Sequence, residues 1–158
     1  MQGFSIRECR YEDLDRIQNC NLWCLPENYT NHFYVYEFLT SKPTIFVAEV
    51  GEEIVGYCLG KIDSHEATKT TPHHYSGLIT SVSVKPTFRG LGIAKNLMIC
   101  SMKAFRELQC SYIQLHVRES NVIAQDMYKN LGFVIHQVEN KYYHDKETAY
   151  EMRIELTE

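Results

Sequence analysis

Apolar positions along the chain switch between a period of two and a period near three and a half. Residues 4–9 alternate, with Phe4 and Ile6 set against Ser5 and Arg7, and read as a first strand. Residues 12–18 read as a helix. Its early acids, Glu12 and Asp13, suit the positive end of a helix dipole, and Leu14, Ile17 and Leu22 are expected on its inner face. Pro26 disfavours helical geometry at the residue before it and ends that helix, and residues 32–39 resume as an aromatic-rich one. Residues 44–50 and 54–60 flank Gly51-Glu52-Glu53 as a hairpin. Residues 63–75 are polar, carry His65, His73 and His74, and read as a surface loop. A strand over residues 77–84 follows, its pairing ended by Pro86.

Ile93, Leu97, Met98, Met102 and Phe105 recur at helical spacing within residues 92–108. Residues 112–117 form the next strand. Asn121 is placed to cap a helix over residues 122–131, and Gly132 to stop it. Residues 133–138 and 149–156 supply the last two strands. The predicted order is βααβββαβαββ, a mixed α/β domain with one central sheet of about seven strands and four helices. No repeat or linker interrupts it, so residues 1–158 read as a single domain.

Composition narrows the function classes. The formal net charge of −4 disfavours a nucleic-acid partner, since duplex-binding domains are more often basic. No stretch approaches the roughly 20 apolar residues of a membrane span, and no signal-like apolar run opens the chain. The expected location is the cytoplasm or the nucleus. Six cysteines then read as reduced, mostly buried thiols. Cys20 and Cys24 lie four apart on one helical face, but no second pair has metal-ligand spacing, so no metal is expected.

The chemistry-bearing feature is the turn Arg89-Gly90-Leu91-Gly92-Ile93-Ala94 between a strand and a helix. Glycines let the backbone adopt unusual dihedrals and approach a ligand closely. The first N–H groups of a helix have no intrahelical partner, and with the dipole they form an anion site. Arg89 can add a charge-assisted bond to a phosphate oxygen. The Gly-Lys-Ser/Thr ending of a P-loop is absent, and the glycine spacing is not that of the dinucleotide fingerprint. A bare strand-to-helix turn is the plain alternative.

Arg-x-x-Gly-x-Ala after the alternating Val82-Ser83-Val84 resembles the acetyl-coenzyme A motif of the GNAT superfamily. Asn121 with Tyr128-Lys129-Asn130-Leu131-Gly132-Phe133 resembles that family's second cofactor element. Leu25-Pro26-Glu27-Asn28-Tyr29, Leu115-His116-Val117-Arg118 and Lys141-Tyr142-Tyr143 resemble segments of the catalytic subunits of N-terminal acetyltransferase A (NatA) complexes. The resemblance covers the whole chain. It implies the GNAT acyl-coenzyme A N-acyltransferase fold, with acetyl-coenzyme A as co-substrate and no metal. It also implies acetyl transfer to the α-amino group of protein N-termini.

On this resemblance Val82, Val84, Arg89, Gly90, Leu91, Gly92, Ile93, Ala94, Asn121 and Tyr128 bind the cofactor. Leu25, Pro26, Glu27, Tyr29, Arg118, Tyr142 and Tyr143 bind the peptide. Catalysis falls to Glu27, His116, Tyr128 and Tyr143, with the base left open between Glu27, His116 and a water relay. The plain readings are a solvated loop carboxylate for Glu27, a packed strand histidine for His116 and core tyrosines for the rest. The implied partners are peptide N-termini and a large helical-repeat auxiliary subunit, with ribosome association through it. The acceptors are small residues in the complex and acidic ones for the lone chain. Leu22 and Trp23 are candidates for the partner face, with core burial as their alternative. A GNAT enzyme that acetylates a lysine side chain or a small-molecule amine is the second reading.

Overall fold

A computed structural model of the chain describes residues 3–25 and 29–156. Its elements are β1 (Ser5–Glu8), α1 (Leu14–Cys24), α2 (Asn31–Ser41), β2 (Phe46–Val50), β3 (Glu53–His65) and β4 (His74–Val84). They continue with α3 (Ile93–Glu107), β5 (Cys110–Arg118), α4 (Val122–Asn130), β6 (Val134–Glu139) and β7 (Ala149–Glu155). This is the expected order of seven strands and four helices. The strands hydrogen-bond in the order β1-β2-β3-β4-β5-β7-β6. The chain divides into two compact units, Met1–Lys61 with Thr80–Ala104, and Ile62–Ile79 with Phe105–Glu158.

In the first unit β1, β2 and β3 form an antiparallel meander, with a bulge between Ala48 and Glu49. The β2–β3 turn is tight, and Gly51 takes a φ of +61° there. Arg7 joins this meander to the start of α1 through Asp13 and Glu49, at 2.6 and 2.5 Å. The core gathers Cys9, Leu14, Ile17, Cys20, Tyr34 and Tyr57, all buried, with aliphatic residues of β2 and β3. The inner face of α1 is Leu14, Ile17, Cys20 and Asn21, so the expected place of Leu22 is corrected. Leu22 is 59% exposed and Trp23 74%. Leu22 lies eight residues after Leu14, about 80° round the helix, which carries it off the inward stripe. Tyr57 Oη donates to Asn21 Oδ1 at 2.6 Å and lies 3.3 Å from Ser81 Oγ, tying α1 to the sheet.

In the second unit β5 runs parallel to β4, and their ladder ends at Ile79↔Leu115. β7 pairs antiparallel with β5 on one side and β6 on the other. The expected loop over residues 63–75 is shorter than its polarity suggested. β3 runs to His65 and β4 starts at His74, because polar residues sit on strand backbone there. His65 Nε2 lies 2.7 Å from Ser76 Oγ, and its ring stacks on His74 at 4.6 Å. Phe105 of α3 lies directly over Gly77: a Cβ at residue 77 would meet the Phe105 ring at 2.7–2.9 Å.

Two predictions follow from the packing. Phe105 is fully buried, so its ring cannot turn aside from a methyl at residue 77. Gly77→Ala should cost about 1–3 kcal/mol of overpacking, more than the roughly 0.4–1 kcal/mol gained from a stiffer unfolded chain. Thermal melting should fall by several degrees, and Phe105→Leu should recover part of the loss. A melting point unchanged in Gly77→Ala would contradict the close approach. Burial also pushes the thiols of Cys9, Cys20 and Cys58 up to about 12. At pH 8 their thiolate fraction is then on the order of 10⁻⁴. Alkylation of these three, followed by mass spectrometry, should be at least about 100-fold slower in the folded chain than in denaturant.

Candidate functional site

The first unit presents the glycine turn. β4 ends where the Lys85 N–H donates to Val55 O at 2.8 Å. A 3-10 turn, Pro86–Phe88, carries the chain outward to Arg89. Gly90 and Gly92 take φ of +78° and +79°, the left-handed region that side chains with a Cβ disfavour. A Cβ at Gly90 would meet nothing within 4 Å, so the requirement there is dihedral and the surrounding space is open. Arg89 is exposed, and its Nε donates to Val84 O at 2.9 Å. That bond leaves most of the five guanidinium donors for other acceptors.

Helix α3 is anchored behind the turn by Ile93, Leu97 and Met98, each 1% exposed or less. Gly56 of β3 makes this seating possible. A Cβ there would come within 3.0 Å of Ser83 O, 3.1 Å of Val84 Cγ2 and 3.3 Å of Ile93 Cγ2. With its rear fixed, α3 points its first N–H groups out of the turn, and these have no intrahelical partners. Leu91 is exposed at the tip and Ala94 is half-buried. Val84 is buried and Val82 half-buried. The unit thus brings Val82, Val84 and residues 89–94 into one strand–turn–helix with the electrostatics of an anion site. Leu25 continues from α1, its N–H donating to Asn21 O at 3.0 Å. Tyr29 stacks on Phe33 at 4.2 Å. Pro26 and Glu27 lie outside the described residues.

The second unit gathers the remaining polar candidates around β5. Tyr112, Gln114, His116 and Arg118 share one face by the period of two. Tyr142 and Tyr143 sit in the loop between β6 and β7. The Tyr142 ring stacks on His116 at 4.5 Å and 6°. The Arg118 guanidinium lies 3.9 Å over the Tyr143 ring, and the two tyrosines meet edge-on at 5.1 Å. Arg118 Nη1 donates to Asp145 Oδ2 at 2.9 Å and Glu147 Oε2 at 2.8 Å. Glu147 also accepts from the Ser120 hydroxyl and from the Ser120 N–H. Those Ser120 bonds, and then Arg118, hold the Glu147 carboxyl down at about 2. The part of the loop that follows the two tyrosines is therefore tied to the close of β5.

Asn121 caps α4 as expected, accepting from the Ala124 N–H at 3.2 Å. Gln125 Nε2 donates to Arg118 O and Glu119 O, at 3.1 and 2.8 Å, which fixes the head of α4 against β5. Tyr128 is buried, with its ring 6.0 Å from that of Phe133. Gly132 ends the helix at a φ of +99°.

Two residues with chemistry escaped the sequence reading. His116 Nε2 faces Glu139 Oε2 at 3.4 Å and Glu151 Oε2 at 3.9 Å. Among the described residues this is the one trio of His, Cys, Asp or Glu whose ligand-type atoms lie within 4.8 Å of one another. Its members come from β5, β6 and β7, so no spacing in the sequence announces it. The signal lies in strand register, which sets Glu151 opposite His116.

The acetyltransferase (GNAT) family matches this chain over residues 13–133. The chain is 44% identical over 155 residues to the N-terminal acetyltransferase complex ARD1 subunit homolog of Dictyostelium discoideum, covering 96% of this chain and 73% of that protein. It is 41% identical over 154 residues to the N-terminal acetyltransferase A complex catalytic subunit NAA10 of Arabidopsis thaliana, covering 96% and 77%. Among solved structures, Chaetomium thermophilum Naa20 in complex with a bisubstrate analogue matches with a TM-score of 0.83 at 30% identity, covering 96% of this chain and 86% of that one. A strand–glycine turn–helix anion site, an identity above 40% along almost the whole length and a shared fold agree: the chain belongs to the GNAT acetyltransferase family.

Proposed function

We propose that this chain transfers the acetyl group of acetyl-coenzyme A to the α-amino group of protein N-termini. One observation carries the reading. The chain is 41–44% identical, over 96% of its length, to an N-terminal acetyltransferase complex subunit homolog and to an N-terminal acetyltransferase A catalytic subunit. Acetyl-coenzyme A supplies the activated acyl group as a thioester. Residues 89–94 suit its pyrophosphate, for the helix N-terminus and Arg89 both favour anions. Beyond the β4–β5 ladder, strand backbone around Val82 and Val84 offers N–H donors for the pantetheine arm and the thioester carbonyl.

The acceptor is an α-amino group of pKa near 8, so a large part of it is protonated at neutral pH. The nitrogen lone pair forms the new C–N bond as the C–S bond breaks. One proton leaves the amine and another reaches the departing thiolate. Glu27 and His116 are our candidates to take the first, directly or through water, and Tyr128 our candidate to deliver the second. Arg118, Tyr142 and Tyr143 form a braced aromatic wall suited to an extended peptide backbone; Leu25, Pro26 and Tyr29 are further candidates for the peptide on the strength of the family resemblance. The asymmetry of the chemistry supports separate sets of groups for donor and acceptor.

A large helical-repeat auxiliary subunit is the partner we propose, with ribosome association through it and the cytoplasm or nucleus as its place of work. The exposure of Leu22 and Trp23 on α1, and of Tyr36 and Leu39 on α2, supports an apolar partner surface. Small first residues would be acetylated in the complex and acidic ones by the lone chain.

Steady-state thiol release from acetyl-coenzyme A tests the site. Arg89→Ala should raise KM for acetyl-coenzyme A by about tenfold or more, the worth of one charge-assisted bond. Glu27→Gln and Tyr143→Phe should lower kcat and leave that KM nearly unchanged. Full kcat in both variants on every peptide tried would contradict the assignment. For the partner surface, Leu22→Glu and Trp23→Glu should weaken capture of the auxiliary subunit by more than about tenfold, with turnover of the lone chain on acidic N-termini preserved. Undiminished capture would move the partner surface elsewhere.

A further inference from the structure

We propose that Glu139 and Glu151 are positioning residues that hold His116 as its Nε2–H tautomer, so that Nδ1 is the atom that accepts the proton of the substrate amine. This rests on the reading of His116 as a base for N-terminal acetylation and names the groups that would make it one.

The argument starts from register. Glu151 on β7 pairs directly with His116 on β5, and Gln137 on β6 pairs with Glu151. Glu139 is two residues beyond Gln137, so it projects from the same face. Both carboxylates therefore converge on one imidazole edge, with oxygens 3.4 and 3.9 Å from Nε2. That nitrogen is buried and makes no hydrogen bond. A bare lone pair there would face two carboxylate oxygens across 3.4 and 3.9 Å. A proton on Nε2 converts the same contact from repulsion to attraction, and it leaves the lone pair on Nδ1.

The surroundings fix the ring as well as its tautomer. Tyr142 stacks on it nearly parallel at 4.5 Å. Glu151 is itself met by Arg153 Nη2 at 3.3 Å, and the same nitrogen donates to Gln114 Oε1 at 3.3 Å. Glu139 has the shorter approach of the two and is 29% exposed on its side chain, against 11% for Glu151. On β5 the flanking same-face residues are Gln114 and Arg118, the latter engaged by Asp145 and Glu147. When Nδ1 takes a proton, the imidazolium meets two carboxylates at its opposite nitrogen. This is the orienting and charge-stabilising part that a buried carboxylate plays beside a catalytic histidine.

The test pairs spectroscopy with kinetics on the full chain. Long-range ¹⁵N–¹H correlation of the histidine rings should show His116 in the Nε2–H form in the unaltered protein. Glu139→Gln with Glu151→Gln should yield a mixture of forms and a kcat lowered by about tenfold or more, with KM for acetyl-coenzyme A unchanged. Glu139→Asp should restore part of the rate. If the double variant fails to fold, Glu139→Gln alone gives the same readings. In a His116→Ala background the glutamate changes should have no further effect on kcat. Equal losses with and without His116, or an Nδ1–H form in the unaltered chain, would overturn the proposal. So would activity lost on chelation and restored by zinc, which would make the trio a metal centre. Full kcat in His116→Ala would instead remove His116 as the base, whether or not the chain acetylates N-termini.

Discussion

The geometry of the glycine turn depends on a missing side chain. A Cβ at Gly56 of β3 would come within 3.0–3.3 Å of Ser83 O, Val84 Cγ2 and Ile93 Cγ2, tighter than side chains ordinarily pack. That approach seats the first residue of α3 on the sheet, and the Lys85–Val55 bond pins the end of β4 beside it. With both ends fixed, the chain between them must turn sharply, and Gly90 and Gly92 accept the left-handed dihedrals that the turn imposes. The unpaired N–H groups of α3 are then held in place before any anion arrives. Preorganised donors of this kind cost no rearrangement on binding, which is why a helix start can serve a pyrophosphate.

The side-chain cluster around β5 is built on another principle. The second unit assembles charged and aromatic side chains on one face of three paired strands, and each is held by a neighbour. Tyr142 lies on His116, Arg118 lies on Tyr143, and Arg118 is itself held by Asp145 and Glu147. Ser120 completes the anchoring of Glu147, so the loop that carries the two tyrosines is tied to the end of β5. A peptide backbone offers little beyond amides and one ammonium. A braced aromatic wall beside a histidine and two carboxylates matches that chemistry better than it matches a phosphate.

Much of this was legible from local patterns. The order of eleven elements followed from periodicity and from Pro and Gly punctuation. The turn at Gly90 and Gly92 was legible for a similar reason, since its constraint is local dihedral geometry. Leu22 was misplaced because hydrophobicity alone does not set helical phase, and α1 turns it to the surface. Residues 63–75 passed for a loop because strand pairing there is carried by backbone while the side chains stay polar. Glu139 and Glu151 were illegible for a deeper reason. Their meeting with His116 is fixed by the register of β5, β7 and β6, which no single segment encodes.

The central claim is that the acetyl group goes to an α-nitrogen. It is tested most directly by fragmenting the product of a peptide that carries both a free N-terminus and an internal lysine. The account predicts an acetyl group found on the first residue's α-nitrogen and an unmodified lysine. Acetyl found on the lysine side chain, with the α-amino group free, would contradict it.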